Sequence, residues 1–298
     1  MRINKHIVIL ILVSGLTILT CIGCSKVENV SDRTDSGTVQ AAPVSKEPEV
    51  TESITVTPEP IDTSSGEQTD TTPSPEPEPS EIPQVDNGNI IVVLDPGHGG
   101  KFTGAMYSGM VEKDLTFFVA VHVRDYLMEN YDGIEVYMTR NSDIELADDL
   151  VTELENRAIA AKDMNADYFV SLHFNACDEH NQTGAAVYAS RRSNVTDKSQ
   201  KLANSVLKQL IALGIDNNGI GLRPSSDHFD EDGSPLDYYA VLRHSAARDI
   251  PAIIVEHCFM DNPSDQEFIN SDEKLSALAE ADAKGIAEYL ELPAKNNN

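Results

Sequence analysis

Four residues in this chain could carry hydrolytic chemistry if the fold brought them to one place: His98, Glu112, His173 and Glu256. His98 sits in the glycine-rich turn Asp95-Pro96-Gly97-His98-Gly99-Gly100, directly after the apolar run at 90–94. His173 follows Tyr168-Phe169-Val170-Ser171-Leu172, and Glu256 follows Pro251-Ala252-Ile253-Ile254-Val255, so each also stands where a short apolar strand would end. Glu112 opens a helical pattern. Two imidazoles and a carboxylate meeting at one sheet edge form a donor set suited to a single Zn²⁺, with a fourth position open for water. A further carboxylate is then left over for acid/base work. Taken singly, each residue has an ordinary explanation. A histidine after a strand is commonly a loop or capping residue, and an acid in the first turn of a helix is stabilised by the helix dipole. The joint placement is what points to chemistry. Glu256, between an apolar strand and Cys258-Phe259-Met260, would also be costly to bury as an anion without a partner, and a nearby metal cation supplies one.

The elements that must position these residues are legible as short strands alternating with helices. Continuous apolar runs at 90–94, 134–138, 168–172, 185–189 and 252–255 predict strands buried on both faces, hence a parallel sheet. Helical patterns lie between them: a stripe of Leu115, Val119, Val123 and Leu127, then 154–164, 202–213 and 275–290. The alternation argues for a single layered α/β domain. In open sheets of this class ligands bind outside the carboxyl ends of the strands, where His98, His173 and Glu256 stand.

The segments Leu94-Asp95-Pro96-Gly97-His98-Gly99-Gly100, Glu112-Lys113-Asp114-Leu115, Thr139-Arg140, Arg157, Ser171-Leu172-His173-Phe174-Asn175-Ala176 and Val255-Glu256-His257-Cys258-Phe259-Met260-Asp261-Asn262 follow one another along the chain. Their order resembles that of the zinc-dependent N-acetylmuramoyl-L-alanine amidases (amidase type 3), and the resemblance spans 90–290. It implies a six-stranded, mostly parallel sheet flanked by helices. It also implies hydrolysis of the amide between the lactyl group of N-acetylmuramic acid and L-alanine of the stem peptide, one Zn²⁺ held by His98, Glu112 and His173, and Glu256 as the catalytic glutamate. In the implied mechanism the metal lowers the pKa of its water toward ~7 and polarises the carbonyl. Glu256 takes the water's proton and passes it to the leaving amine. The family commonly has a small or hydroxyl residue and then glycine after that glutamate, whereas His257 and Cys258 follow here. Strand alternation turns His257 away from Glu256, into a packing or surface role, and Cys258 back toward the Glu256 side. Cys177 and Cys258 remain open as a disulfide or two free thiols. A zinc peptidase or amidase acting on another wall amide, and a catalytically silent wall-binding module, are the alternatives to the same site.

The rest of the chain reads as a means of export. Residues 1–24 carry Arg2 and Lys5, an apolar stretch at 7–19, and Gly23-Cys24, which resembles a lipoprotein signal peptide cleaved before a lipid-modified Cys24. Cys21 stands where that pattern prefers Leu, Val or Ile. An uncleaved anchor helix and an ordinary secretory signal are the other readings, and all three export the domain. Residues 25–88 hold 9 of the 15 prolines and 14 acids against 3 bases, with no aromatic residue, so they predict a disordered linker. Extended at ~3.1 Å per residue, it would span on the order of 200 Å. Residues 89–293 are the expected catalytic domain and 294–298 a disordered tail. Beyond residue 88 there are 35 Asp and Glu against 17 Lys and Arg, an acidic balance that argues against nucleic acid as a partner. The expected partners are peptidoglycan, the membrane through a lipid on Cys24, and an unidentified activator. The expected location is the outer face of the cytoplasmic membrane or the cell wall. Two long segments, 141–155 and 218–239, the latter with Arg223, Asp227 and His228, read as groove walls or solvated loops.

Overall fold

In the computed structural model, residues 88–296 are described; the expected signal peptide and all of the expected linker except Gly88 fall outside them. Along the described residues, apolar runs become strands and amphipathic stretches become helices. The order is β1 (Ile90–Pro96), a small hairpin of β2 (Met106–Tyr107) and β3 (Met110–Val111), α1 (Glu112–Asn130), β4 (Ile134–Met138), α2 (Leu150–Asp163), β5 (Tyr168–Asn175) and β6 (Ala185–Ala189). Then come α3 (Thr196–Ala212), β7 (Asn217–Gly221), a second hairpin of β8 (Pro224–Phe229) and β9 (Pro235–Asp237), α4 (Ala240–Ala246), β10 (Ala252–Phe259), a 3₁₀ turn (Asp265–Phe268) and α5 (Asp272–Leu290). One six-stranded sheet runs in the order β4-β1-β5-β10-β6-β7. Its first four strands are mutually parallel, β6 is antiparallel to β10, and β7 is parallel to β6. This is the α/β domain with a mostly parallel, helix-flanked sheet that the sequence leads one to expect.

The central strands are apolar throughout because both of their faces are covered. Val92, Leu94, Val170, Leu172, Ile253 and Val255 pack with Val119, Val123 and Leu127 of α1 and with α3 and α5. Val93, Phe169 and Ile254 face the other way, against Ala161 of α2 and Val241 and Leu242 of α4. Each such side chain, fully buried, contributes roughly 1.5–3 kcal/mol relative to exposure. Helix starts are fixed locally. Asp149 caps α2 by accepting from Thr152 N at 3.0 Å, and Ser271 caps α5 by accepting from Lys274 N at 3.4 Å. Val111 cannot cap α1. Instead Glu112 N donates to Ala105 O at 2.9 Å and Lys113 N to Thr103 O at 3.1 Å, which ties the start of α1 to the loop after β1.

Several expectations need correcting. β1, β5 and β10 continue past their apolar runs to Pro96, Asn175 and Phe259, so His173 and Glu256 lie within strands. Ladder pairing with neighbours carries the polar residues along. Residues 218–239 contain the end of β7 and the β8–β9 hairpin; an edge strand reading Asn217-Asn218-Gly219-Ile220-Gly221 offers no apolar run to detect. α4 is only seven residues long, too short for a helical period to show. The tail is fixed further than expected. Ala294 bridges to Tyr131, and Lys295 N donates to Asn130 O at 2.8 Å, because the end of α1 presents free backbone acceptors there. Among the described residues, no helix is long and apolar enough to cross a membrane.

Candidate active site

The loop after β1 must pass alongside the end of β5, and glycine allows it. A Cβ on Gly97 would lie 2.2 Å from His173 Cε1. At Gly104, where φ is +67°, a Cβ would meet Glu112 Oε2 at 2.5 Å and His98 Cδ2 at 2.6 Å. With both side chains reduced to hydrogen, His98, Glu112 and His173 converge. His98 Nε2 and His173 Nδ1 each lie 3.0 Å from Glu112 Oε1, and the two rings meet edge to face with centroids 4.9 Å apart. One donor atom from each of the three lies within 4.8 Å of the others. Glu112 is oriented by backbone donors: Phe174 N at 3.1 Å on Oε1 and Ala105 N at 2.9 Å on Oε2.

Electrostatics favour the charged carboxylate at Glu112 and the neutral ring at His173. Burial pushes the Glu112 carboxyl up, but His98 and His173 beside it outweigh burial and hold it well below the usual carboxylate range. Burial lowers the His173 pKa despite its bond to Glu112, favouring the neutral imidazole that a metal takes. Two imidazole nitrogens and one carboxylate oxygen, partly open to solvent, are the set that a catalytic zinc uses, so the residues present fit that ion. Glu256 stands opposite His173 in the β5–β10 ladder. Glu256 is half-buried, and this burial, with repulsion from Glu112, pushes its carboxyl up to about 8. A cation nearby would bring that value back toward neutrality, where a carboxyl can both take and give a proton.

Behind the site, two buried arginines grip the loop that presents His98. Arg157 donates to Pro96 O at 2.9 Å and to His98 O at 2.6 Å; Arg140 donates to Pro96 O at 3.0 Å and Gly97 O at 3.2 Å. The grip matters because His98 holds a left-handed φ of 64°, which a side chain adopts only when its surroundings enforce it. Asp95, fully buried, pairs with Arg157 at 2.7 Å and also accepts from Thr139 and Ser171 at 2.6 and 2.7 Å. Glu153 pairs with Arg157 at 2.6 Å and accepts from Leu146 N and Ala147 N. The segment 141–155 is thus anchored to the site. Nothing in the types or spacing of Asp95, Arg140 and Arg157 in the sequence marks them for this role.

Asp95→Asn is expected to destabilise the domain by about 2–4 kcal/mol, because the buried Arg157 guanidinium loses one of its two carboxylate partners and keeps only Glu153, as measured by denaturant unfolding. The sign of its pH dependence follows. Burial alone would raise the Asp95 pKa, but Arg157, Thr139 and Ser171 hold it below the ordinary value. Its contribution is therefore present above the unfolded pKa of roughly 3.9 and is lost as pH falls through the folded value. The variant should lose less stability in acid than the wild type; equal acid sensitivity would remove Asp95 from that role.

His257 takes the packing option. It is fully buried, stacks on Phe174, pairs through Nε2 with Asp282 Oδ2 of α5 at 2.6 Å, and places Nδ1 2.8 Å from His173 O. It thereby braces the strand that carries His173. The alternation expected for Cys258 fails, because the β5–β10 register shifts between Glu256 and Phe259. Cys258 joins the apolar cluster that contains Val255, and both Cys177 and Cys258 are buried free thiols.

The chain is similar to known proteins. Residues 92–288 match the family described as N-acetylmuramoyl-L-alanine amidase. The endolysin of Bacillus phage SPP1 is 32% identical over 208 residues, covering 69% of this chain and 68% of that protein. N-acetylmuramoyl-L-alanine amidase CwlM of Bacillus licheniformis is 30% identical over 203 residues, covering 67% of this chain and 69% of the relative. Among solved structures, the N-acetylmuramoyl-L-alanine amidase from Clostridium difficile 630 aligns with a TM-score of 0.57 at 29% identity, covering 68% of this chain and 98% of that one.

Proposed function

This chain belongs to the N-acetylmuramoyl-L-alanine amidase family, and from that premise we propose that it hydrolyses the muramoyl–L-alanine amide of peptidoglycan with one Zn²⁺ held by His98, Glu112 and His173. The observation that carries the reading is the convergence of those three donors within 4.8 Å, with a carboxylate facing them from the neighbouring strand. His98, Glu112 and His173 would hold the ion, which would supply Lewis acidity toward the scissile carbonyl and water near neutral pH. Glu256 accepts the proton of the attacking water on a carboxylate oxygen and delivers it to the leaving amine nitrogen as the C–N bond breaks. Glu112 is fixed by Phe174 N and Ala105 N, which holds its carboxylate where it would meet the metal together with the two imidazoles. Arg157 and Arg140 hold the His98 loop in its strained form. Mapping the ends released from purified wall tests the reading, and a new N-terminal L-alanine is the expected product.

The same reading makes residues 1–24 an export signal and Cys24 a lipid attachment point at the outer face of the membrane, with 25–88 as the tether that lets the domain reach the wall. Support comes from the basic, apolar and Gly23-Cys24 order of the sequence. Incorporation of labelled fatty acid that disappears in Cys24→Ala tests it, and unlabelled wild-type protein would rule the lipid out.

A further inference from the structure

The hydrolytic step leaves unused a guanidinium held at the end of a row of tyrosines that starts on the strand beside β10. Arg223, between β7 and β8, lies over the Tyr238 ring at 4.0 Å from its centroid, and its Nη1 donates to the Tyr239 hydroxyl at 3.5 Å. Its carbonyl accepts from Tyr238 N at 2.9 Å, so backbone and side chain are both held. Among the described residues no carboxylate pairs with it, although Arg192 and Arg248 each have one at 2.5 and 3.0 Å in the same acidic chain. A single long hydrogen bond leaves most of the five guanidinium donors unused, and a stacked guanidinium keeps its donor edge free.

Its position relates it to the reaction. Tyr239 packs on Tyr188, ring centroids 4.7 Å apart. Tyr188 stands opposite Ile254 in the β6–β10 ladder, two residues before Glu256 and on the same face. Gly221 closes the end of β7 against the Tyr188 ring, where a Cβ would come within 2.5 Å. The Glu256 charge reaches the Tyr239 hydroxyl, which burial, Tyr188 and Glu256 together push upward. Tyr188, Tyr239 and Arg223 therefore form a continuous wall leading away from Glu256 on the β6–β7 side. The His98 loop borders the opposite side, because the sheet order places β1 and β7 on either side of β5 and β10.

We propose that Arg223 is a specificity-determining residue that binds the free α-carboxylate of the stem-peptide residue following L-alanine. The proposal rests on the amidase reading above. A carboxylate is the planar, two-oxygen anion that matches a guanidinium edge, and the next residue of an extended chain lies only ~3.3–3.6 Å further along. A carboxamide at the same position keeps the shape and loses the charge.

The test compares two disaccharide-peptides that are identical except for a free α-carboxylate or a carboxamide on the residue after L-alanine. The full-length wild-type protein should cleave the acid form with a kcat/KM about 10- to 100-fold higher, the range expected of charge-assisted hydrogen bonds. Arg223→Gln should erase that preference by slowing the acid form alone, and Arg223→Lys should retain part of it. Unchanged cleavage of the carboxamide form is also the control for folding. Equal slowing of both substrates by Arg223→Gln, or a wild type without preference, would overturn the subsite. Cleavage of neither substrate by wild type would overturn the amidase reading beneath it.

Discussion

Glu256→Gln is expected to lower turnover by at least ~10²- to 10⁴-fold, the loss typical of removed general acid/base catalysis, while zinc content and thermal stability stay near wild type. Glutamine keeps the volume of the side chain and can still hydrogen-bond, but it cannot take a proton from water. The structural consequences should be small. Burial and repulsion from Glu112 act on the Glu256 carboxyl with no stabilising hydrogen bond among the described residues, so the substitution breaks no contact that holds the fold. Stability rises slightly if anything, since a carboxylate is no longer desolvated there. Retention of most activity would move the base elsewhere, and loss of zinc would make Glu256 a fourth ligand.

The second large effect belongs to the donors themselves. His98→Ala and His173→Ala should each lose stoichiometric zinc and activity together, because two protein ligands are too few to hold the ion. Affinity should fall by more than the 10- to 100-fold that attends loss of a residue merely supporting a ligand. Glu112→Ala should do the same and also unfold more easily, since Phe174 N and Ala105 N both lose their acceptor. Elemental analysis of the purified variants reads the outcome. Normal zinc content in any one of them would take that residue off the ligand list.

Much of this arrangement was legible in the sequence because it depends on short-range pattern. A strand buried on both faces has to be apolar, so β1, β5 and β10 announced themselves, and residues at their carboxyl ends had to lie near one another in a parallel sheet. The assignment of roles among His98, Glu112, His173 and Glu256 came further from the resemblance than from pattern. What stayed hidden depends on long side chains and on irregularity. Nothing in the spacing of Arg140 and Arg157 says that both reach the carbonyls of one loop. β7 is an edge strand with a single apolar residue, Ile220, among Asn and Gly, so the wall that carries Arg223 read as a loop. Alternation served for His257 and failed one residue later, since a register shift in the ladder cannot be read from residue types.

The measurement closest to the central claim is the identity of the bonds cut in purified peptidoglycan, followed with and without metal. New N-terminal L-alanine should appear in step with free muramoyl lactyl carboxyl groups, cease when zinc is removed by a chelator, and return when zinc alone is restored. New amino termini on any other residue, or release of L-alanine ends that continues in zinc-free protein, would contradict the account.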